Sequence, residues 1–402
     1  MTVATSTGRS RLTAIRAARL FDGIDAGLLP DPTVVLDGPT IASIGSGAPV
    51  PEGATVVDLR DATLLPGLVD GHVHLGFDSS SDPVANLANR DDAEAFAAMI
   101  AAARTAARGG VTTVRDLGDR RYLSLGVKLA AATDPTLPDV LAAGPPITIP
   151  GGHCHFLGAE ASGIDGLRRA VRDHVDRGVD IIKVMASGGN LTPGSRPHQP
   201  QYGVVELRAI VDEAHRHHLP VTAHAHALKS IVDGLAAGLD GFEHLSFMSA
   251  DGVDPIPDDV LAALVRQRVT VGMTLGFAPV PGAQPPPGIL ARLPALQANG
   301  RRLCAAGVHV IPGSDAGIAP AKPPDAARWA VAQFQDLGMT AAQALHTCTA
   351  RAATALGLGH RKGQLRPGYD ADILAVTGDP TTDPAAIHQI RAVYVRGTPL
   401  IR

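Results

Sequence analysis

The stretch Leu68-Val69-Asp70-Gly71-His72-Val73-His74 decides how the chain is interpreted, because two histidines follow an apolar run at a spacing of two. On an extended strand, side chains two residues apart point to the same side. His72 and His74 would therefore present two imidazole rings to one point, as a chelated divalent metal requires. A second pair of this spacing, His224 and His226, lies in another strand-like run. Because the chain has 16 histidines, the remaining sequence must decide whether these pairs have a function.

Composition limits the function classes that are open. With 402 residues and 45% hydrophobic content, the chain can bury a large core in one large domain or in two to three ordinary ones. The net charge of −4 and the lack of a basic run argue against nucleic-acid binding. Three widely spaced cysteines argue against a disulfide framework, and no segment resembles a signal peptide or a membrane span. We therefore expect a soluble, cytoplasmic protein with a small-molecule partner, for which a homo-oligomer remains open.

Strand-like and helical patterns alternate through the middle of the chain, and glycine marks the joints. Helices end at Gly178 and Gly238, for example, and an apolar strand follows each. Eight strand candidates end near residues 74, 116, 147, 186, 227, 246, 276 and 316. This repetition predicts an α/β fold with a (β/α)8 TIM-like barrel. An open doubly wound sheet is the rival, but no G-x-G-x-x-G follows the first strand.

Both ends of the chain have short strand patterns, and neither has enough strands for a comfortable sheet alone. We therefore predict a small composite β-sandwich domain built from both termini. The predicted boundaries are 1–65 for its N-terminal part, 66–357 for the barrel and 358–402 for its C-terminal part.

Metal-binding residue types recur at the predicted strand ends. Chemistry in a (β/α)8 barrel is placed at the carboxyl ends of the strands, where burial of such side chains is costly without a purpose. The residues concerned are His72, His74, Lys183, His224, His226, His244 and Asp315. Their coincidence at five strand ends predicts a metal site.

The ordered motifs resemble the amidohydrolase superfamily over almost the whole chain, within the imidazolonepropionase-related, Xaa-Pro dipeptidase-like branch that has a strand-4 lysine. The matching segments are 65–74, 111–116, 182–184, 222–224, 242–244, 313–317 and 363–372.

This resemblance implies a binuclear centre with two zinc ions per chain. His72, His74 and Asp315 would hold one metal, and His224 and His244 the other. Lys183 would bridge them as a CO2-derived carbamate, because an ammonium group cannot ligate a cation. The resemblance further implies that a metal-bridging hydroxide attacks the carbonyl, with Asp315 as general base and then acid.

The resemblance also suggests substrate contacts. His226 occupies a position where relatives often have a tyrosine, and His153 follows strand 3 in a Gly-Gly-His loop, so both are candidate catalytic and substrate-binding residues. Arg115 could pair with a substrate carboxylate, or with Asp116 or Asp119. The roles of His155, Cys154 and the loops 188–203 and 277–290 stay open, although both loops should flank the pocket.

The predicted function is metal-dependent hydrolysis of a C–N bond in an amide, dipeptide, N-acyl amino acid or carbamate. One alternative is a cyclic-amide hydrolase or a deaminase that acts on a heterocycle, although Lys183 argues against deamination. A remote alternative is a non-catalytic scaffold, which would be expected to lose ligands that this chain retains.

Overall fold

The computed structural model describes residues 12–282 and 287–401, so part of the predicted N-terminal segment and part of the 277–290 loop lie outside the described residues. The strands, in chain order, are β1 Thr13–Leu20, β2 Leu29–Pro30, β3 Pro32–Asp37, β4 Thr40–Ser46, β5 Thr55–Pro66, β6 Leu68–Val73, β7 Val111–Asp116, β8 Asp139–Ala142, β9 Ile147–Thr148, β10 Ala159–Glu160, β11 Ile182–Met185, β12 Val221–Ala225, β13 Gly241–His244, β14 Thr270–Met273, β15 His309–Pro312, β16 Ile373–Thr377, β17 Ile390–Val395 and β18 Thr398–Ile401.

The α-helices are α1 Pro83–Ala88, α2 Asp92–Arg108, α3 Leu123–Ala131, α4 Ile164–Arg177, α5 Val204–Arg216, α6 Leu228–Ala237, α7 Asp258–Gln267, α8 Pro287–Ala305, α9 Ala327–Asp336, α10 Ala341–His346 and α11 Ala352–Ala355. Gly178 and Gly238 end α4 and α6 in the left-handed conformation, as the sequence predicts, because a side chain is disfavoured there. Within the part of the chain that the structure describes, no helix is both long and apolar enough to span a membrane.

Eight parallel strands alternate with helices in the middle of the chain: β6, β7, β8, β11, β12, β13, β14 and β15. They belong to a three-stranded sheet, β6-β7-β8, and a seven-stranded sheet that runs from β10 to β15. A bridge between Val73 and Ala316 joins the two sheets at one side. At the other side, Asp180 N donates to Ala142 O over 2.9 Å. The described strands are thus arranged as a barrel would require, without one continuous closed ladder.

The terminal strands form one mixed sheet of eight strands, in the order β18-β17-β16-β5-β1-β3-β4, with β2 paired to β1. Strand β16, from the C-terminal part, pairs antiparallel with β5, from the N-terminal part. Buried residues of both parts, such as Ile15, Leu64, Ile373 and Tyr394, share a core that is separate from the main one. The composite origin agrees with the sequence prediction, but the strands hydrogen-bond as one sheet rather than as two separate layers.

Candidate metal centre

The carboxyl ends of β6 and β15 bring His72, His74 and Asp315 together. Asp315 N donates to His72 O over 2.8 Å, and His74 N donates to Ala316 O over 2.9 Å, so the two chain segments are tied directly to each other. Asp315 Oδ1 lies 3.5 Å from His72 Nε2 and 3.2 Å from His74 Nε2. One potential ligand atom from each of the three residues therefore faces a common point.

A second cluster lies at the ends of β12 and β13 and consists of His224, His226 and His244, whose potential ligand atoms all lie within 4.8 Å of one another. The two clusters adjoin, because the ring centroids of His72 and His244 are 5.2 Å apart. Sequence reasoning separates His226 from the two predicted ligands, whereas the structure groups all three rings. His226 can therefore face either a metal or a substrate.

Lys183, on β11, is 1% exposed, and its Nζ lies 3.5 Å from His72 Nε2. The β11–β12 register pairs Lys183 with Thr222, two residue pairs before His224. Burial lowers the pKa of the Lys183 amine to about 8, which increases the uncharged fraction at neutral pH. The structure therefore brings all six predicted ligand positions to one end of the parallel strands.

Hydrogen bonds set which nitrogen of each ring is free. His74 Nδ1 donates to Gly118 O over 3.0 Å, so the lone pair of His74 is left on Nε2. His244 Nδ1 pairs with the Thr274 hydroxyl over 2.6 Å, and when the ring donates its Nδ1 proton to that oxygen, its lone pair is on Nε2. His224 is oriented oppositely, because its Nε2 donates to Gly188 O over 2.9 Å and its Nδ1 lone pair stays free.

The charge state of three of the histidines also suits metal binding. Burial lowers the pKa of His72 to about 4, and it lowers the pKa of His224 and His244 well below the usual range. These rings are therefore neutral at pH 7, the state that ligates a metal. Burial by itself would raise the pKa of the Asp315 carboxyl, but the neighbouring His72 and His74 hold it below its usual range, so Asp315 is an anion.

Glu243 contacts His72 of the first cluster, and sequence reasoning assigns Glu243 no role. Its Oε2 lies 3.2 Å from His72 Nδ1, which favours the tautomer with a free Nε2. Its Oε1 accepts hydrogen bonds from Arg115 over 3.0 Å and from Thr222 over 2.8 Å. Glu243 directly precedes the predicted ligand His244, and a carboxylate at a buried strand end is the signal that could have identified it.

Arg115 has partners within the protein. Its Nε donates to Gly71 O over 2.7 Å and its Nη2 to Glu243 over 3.0 Å, and the residue is 5% exposed. The pairing of Arg115 with a substrate carboxylate stays a prediction. Among the ion pairs of the described residues, Arg115 pairs with Glu243 and with neither Asp116 nor Asp119.

His153 lies beside the second cluster, with its ring centroid 4.7 Å from that of His224. Its Nδ1 is buried without a hydrogen-bond partner, a state that a substrate group could relieve. His155 faces Phe156 instead, and among the described residues it contacts neither cluster. Cys154 is buried, which raises the pKa of its thiol to about 12 and makes it a poor metal ligand.

Lys322, in the segment after β15, was not predicted because no regular pattern surrounds it. Its buried Nζ donates to Thr274 O and Leu275 O over 3.4 and 3.3 Å and lies 3.4 Å from the centre of the Phe277 ring. Burial lowers the pKa of this amine to about 7. Lys322 thus stabilises the segment directly after β14, in which the Thr274 hydroxyl contacts His244.

The family of the chain follows from a direct comparison with known proteins. A family model described as the amidohydrolase family matches residues 63–400. The chain belongs to the amidohydrolase family. Ochratoxinase from Aspergillus niger is 29% identical to this amidohydrolase over 434 aligned residues, covering 97% of the chain and 86% of the relative. Imidazolonepropionase from Deinococcus deserti is 27% identical and covers 92% of each protein.

A solved structure also resembles this amidohydrolase. It is a prolidase complexed with N-methylphosphonate-L-proline, with a TM-score of 0.81 and 26% identity over 97% of this chain and 100% of that one. These relatives confirm the resemblance to the superfamily branch predicted from the motifs. The protein is therefore a hydrolytic enzyme, and its family supports a metal-dependent hydrolase of C–N bonds.

Proposed function

We propose that this amidohydrolase uses two divalent metals, zinc by preference, to cleave the amide-type C–N bond of a dipeptide or N-acyl amino acid. The observation that carries the proposal is the pair of adjoining clusters, His72–His74–Asp315 and His224–His226–His244. A single metal would not need two such sets of ligand atoms.

The residues fit the metals by their chemistry. The free nitrogens of His72, His74 and Asp315's carboxylate oxygen would hold one metal, while His224 Nδ1 and His244 Nε2 would hold the other. Lys183 would contribute as a carbamate formed with CO2, which replaces the ammonium charge with an anionic oxygen donor. The absence of a carboxylate bonded to the Lys183 amine among the described residues leaves that amine free to react.

Bound metals would supply an acidified water as nucleophile and would polarise the scissile carbonyl. Asp315 is suited to accept the proton at a carboxylate oxygen, because it is ionised and held beside the cluster. The same residue would deliver that proton to the departing nitrogen. His153, with its unpartnered Nδ1, and His226 would contact the substrate around the carbonyl.

One of the relatives supports an amino-acid-containing substrate. The prolidase was solved with a phosphonate derivative of L-proline. The match to imidazolonepropionase favours a second candidate, hydrolysis of a cyclic amide, which is tested on the same protein with a lactam or imidazolone.

We also propose the finer architecture. The two parallel sheets and the links at their edges support a closed (β/α)8 barrel over 66–357, and the mixed terminal sheet supports a composite β-domain from 1–65 and 358–402. In such a barrel, every proposed ligand would lie at the carboxyl end of a strand.

Replacement of Lys183 by alanine tests the proposal. The wild-type protein, loaded with zinc and bicarbonate, should hold about two metals per chain. It should also show a carbamate signal by 13C NMR and hydrolyse at least one compound among dipeptides, N-acyl amino acids, carbamates and lactams. Lys183→Ala should lose the carbamate signal, one metal and turnover, because it lacks the bridging donor.

Lys229→Ala is the matched control, since Lys229 is an exposed lysine on α6 that pairs with Asp233. The control should retain both metals and activity. A Lys183→Ala protein with wild-type metal content and turnover would exclude the proposed bridging role.

A further inference from the structure

A small polar hollow of about 220 Å³ lies between segments that follow two of the strands with proposed ligands. Its walls come from three separate elements: the loop between β11 and α5, the segment that follows β13, and the first half of α8. The residues that matter here are Asn190, Ser195, Arg196, His198, Met248 and Arg292. Most of this surface is polar.

The hollow has an uncompensated positive charge. Arg196 and Arg292 lie 96 positions apart in the sequence, yet their side chains border the same space. In residues 12–282 and 287–401, no aspartate or glutamate lines this hollow, and neither guanidinium has an ion-pair partner. Two like charges that converge in a concave surface repel each other unless an anion lies between them. His198 would add a further donor.

The hollow is in direct contact with the supports of the metal ligands. Gly188 O accepts the hydrogen bond from His224 Nε2, and the backbone of Arg196 packs on the same glycine so closely that a Cβ there would lie 2.3 Å from Arg196 O. On the other wall, Met248 N donates to His226 O over 2.8 Å. The hollow therefore adjoins the backbone segments that position His224 and His226.

We propose that this hollow binds the carboxylate of the substrate's amino-acid part through Arg196 and Arg292. The inference rests on the proposed function and deepens it, because it makes the substrate an anion. A guanidinium matches a carboxylate by donating two parallel hydrogen bonds, and Asn190 and Ser195 offer neutral donors beside it. Arg115, the arginine that sequence reasoning assigned to this task, is engaged with Glu243 instead.

A matched pair of compounds tests the charge requirement. N-acetyl-L-phenylalanine has the carboxylate, and its N-methylamide has the same acetyl–nitrogen bond without the charge. In the zinc-loaded enzyme, Arg292→Gln and Arg196→Gln should each raise KM for the acid about 10- to 100-fold, the range expected for loss of a hydrogen bond to a charged group. The kcat for the acid and the KM for the methylamide should stay within about twofold of wild type.

Two further variants sharpen the result. Arg292→Lys keeps a positive charge and should recover part of the affinity for the acid but not the bidentate geometry. Arg266→Gln removes an exposed arginine at the far end of α7 and should change neither compound's KM. An equal rise in KM for the acid and the methylamide, or no change for either, overturns the proposed carboxylate site.

Failure of the proposed function gives a different result. If the zinc-loaded wild type hydrolyses neither compound, the amidase proposal fails for this substrate class, while the hollow is tested by calorimetry on the same intact protein. Tighter binding of the acid than of the methylamide, lost in the Arg196→Gln/Arg292→Gln double variant, supports the anion site. Equal binding of the two compounds overturns it.

Discussion

Replacement of Glu243 by glutamine should lower both the metal affinity of the site and the stability of the fold, and the two losses can be measured separately. Glu243 is 1% exposed and joins three elements, because it contacts His72 on β6, Arg115 on β7 and Thr222 on β12. Glutamine has nearly the same shape but has no charge. Its amide group can accept from only one side, so one of these contacts is lost.

Two magnitudes follow from this geometry. Loss of a carboxylate that orients a metal-bound histidine typically weakens metal affinity about 10- to 100-fold, or about 1.4 to 2.8 kcal/mol. Removal of one partner of a buried ion pair costs about 3 to 5 kcal/mol of stability, because Arg115 remains charged in the interior. Burial would raise the pKa of Glu243, but His72, Arg115 and Lys183 lower it to about 2, so the wild-type side chain is ionised at neutral pH.

Urea unfolding of the metal-free protein measures the stability change, and competition with a zinc chelator measures the affinity change. Glu52→Gln, at an exposed turn, is the control and should alter neither quantity. The double variant Arg115→Met/Glu243→Gln removes both charges and should regain much of the lost stability without regaining zinc affinity. A folded Glu243→Gln protein with zinc affinity within twofold of wild type would refute the orienting role of Glu243.

Two other charged groups give predictions of their own. Burial and then the neighbouring Asp116 raise the pKa of Asp119 to about 7, above its value in the unfolded chain. Ionisation of Asp119 is therefore penalised in the folded state. The free energy of unfolding should fall by a few kcal/mol as pH rises from about 4 to 7. Asp119→Asn should flatten this fall in urea midpoints measured between pH 5 and pH 8, and an unchanged slope would contradict it. Lys362 is buried with its Nζ 2.5 Å from Asp372 and 3.4 Å from Asp139, so Lys362→Met should destabilise the protein by about 3 to 5 kcal/mol by leaving carboxylates unpaired. A loss below about 1 kcal/mol in urea unfolding, with Lys229→Met as control, would show that these carboxylates find other partners.

The convergence of the proposed metal ligands could be predicted because it depends on a local rule. Alternation along a strand places His72 and His74 on one side, and the carboxyl ends of parallel strands meet at one end of the sheet. These two facts place Lys183, His224 and Asp315 together without any knowledge of packing. The same reasoning gave the alternation of strands and helices and the composite terminal sheet.

The contacts that orient the ligands could not be predicted, because they join residues far apart in sequence. The Arg115–Glu243 pair spans 128 positions, and the bond from Ser314 N to Asp70 Oδ1 spans 244. An arginine at a strand end has the same sequence signature whether it faces a substrate or a buried glutamate. The sequence therefore leaves Arg115 open between a substrate carboxylate and an acidic neighbour, because only the position of Glu243 identifies its partner.

Alternation along a strand also fails to predict side-chain direction where the backbone leaves the extended conformation. His244 and Asp315 have φ angles of 71° and 61°, in the left-handed region that non-glycine residues adopt at a cost of about 1 to 3 kcal/mol. Side-chain direction at these two residues is thus set by a turn out of the strand and not by alternation along it. The bond from Asp315 N to His72 O holds one of these turns, and the contact between His244 and Thr274 holds the other. The strain persists because the neighbouring strands impose it. Alternation along a strand therefore predicts which strand end has a proposed ligand, whereas contacts with the adjoining strand determine the direction of that ligand's side chain.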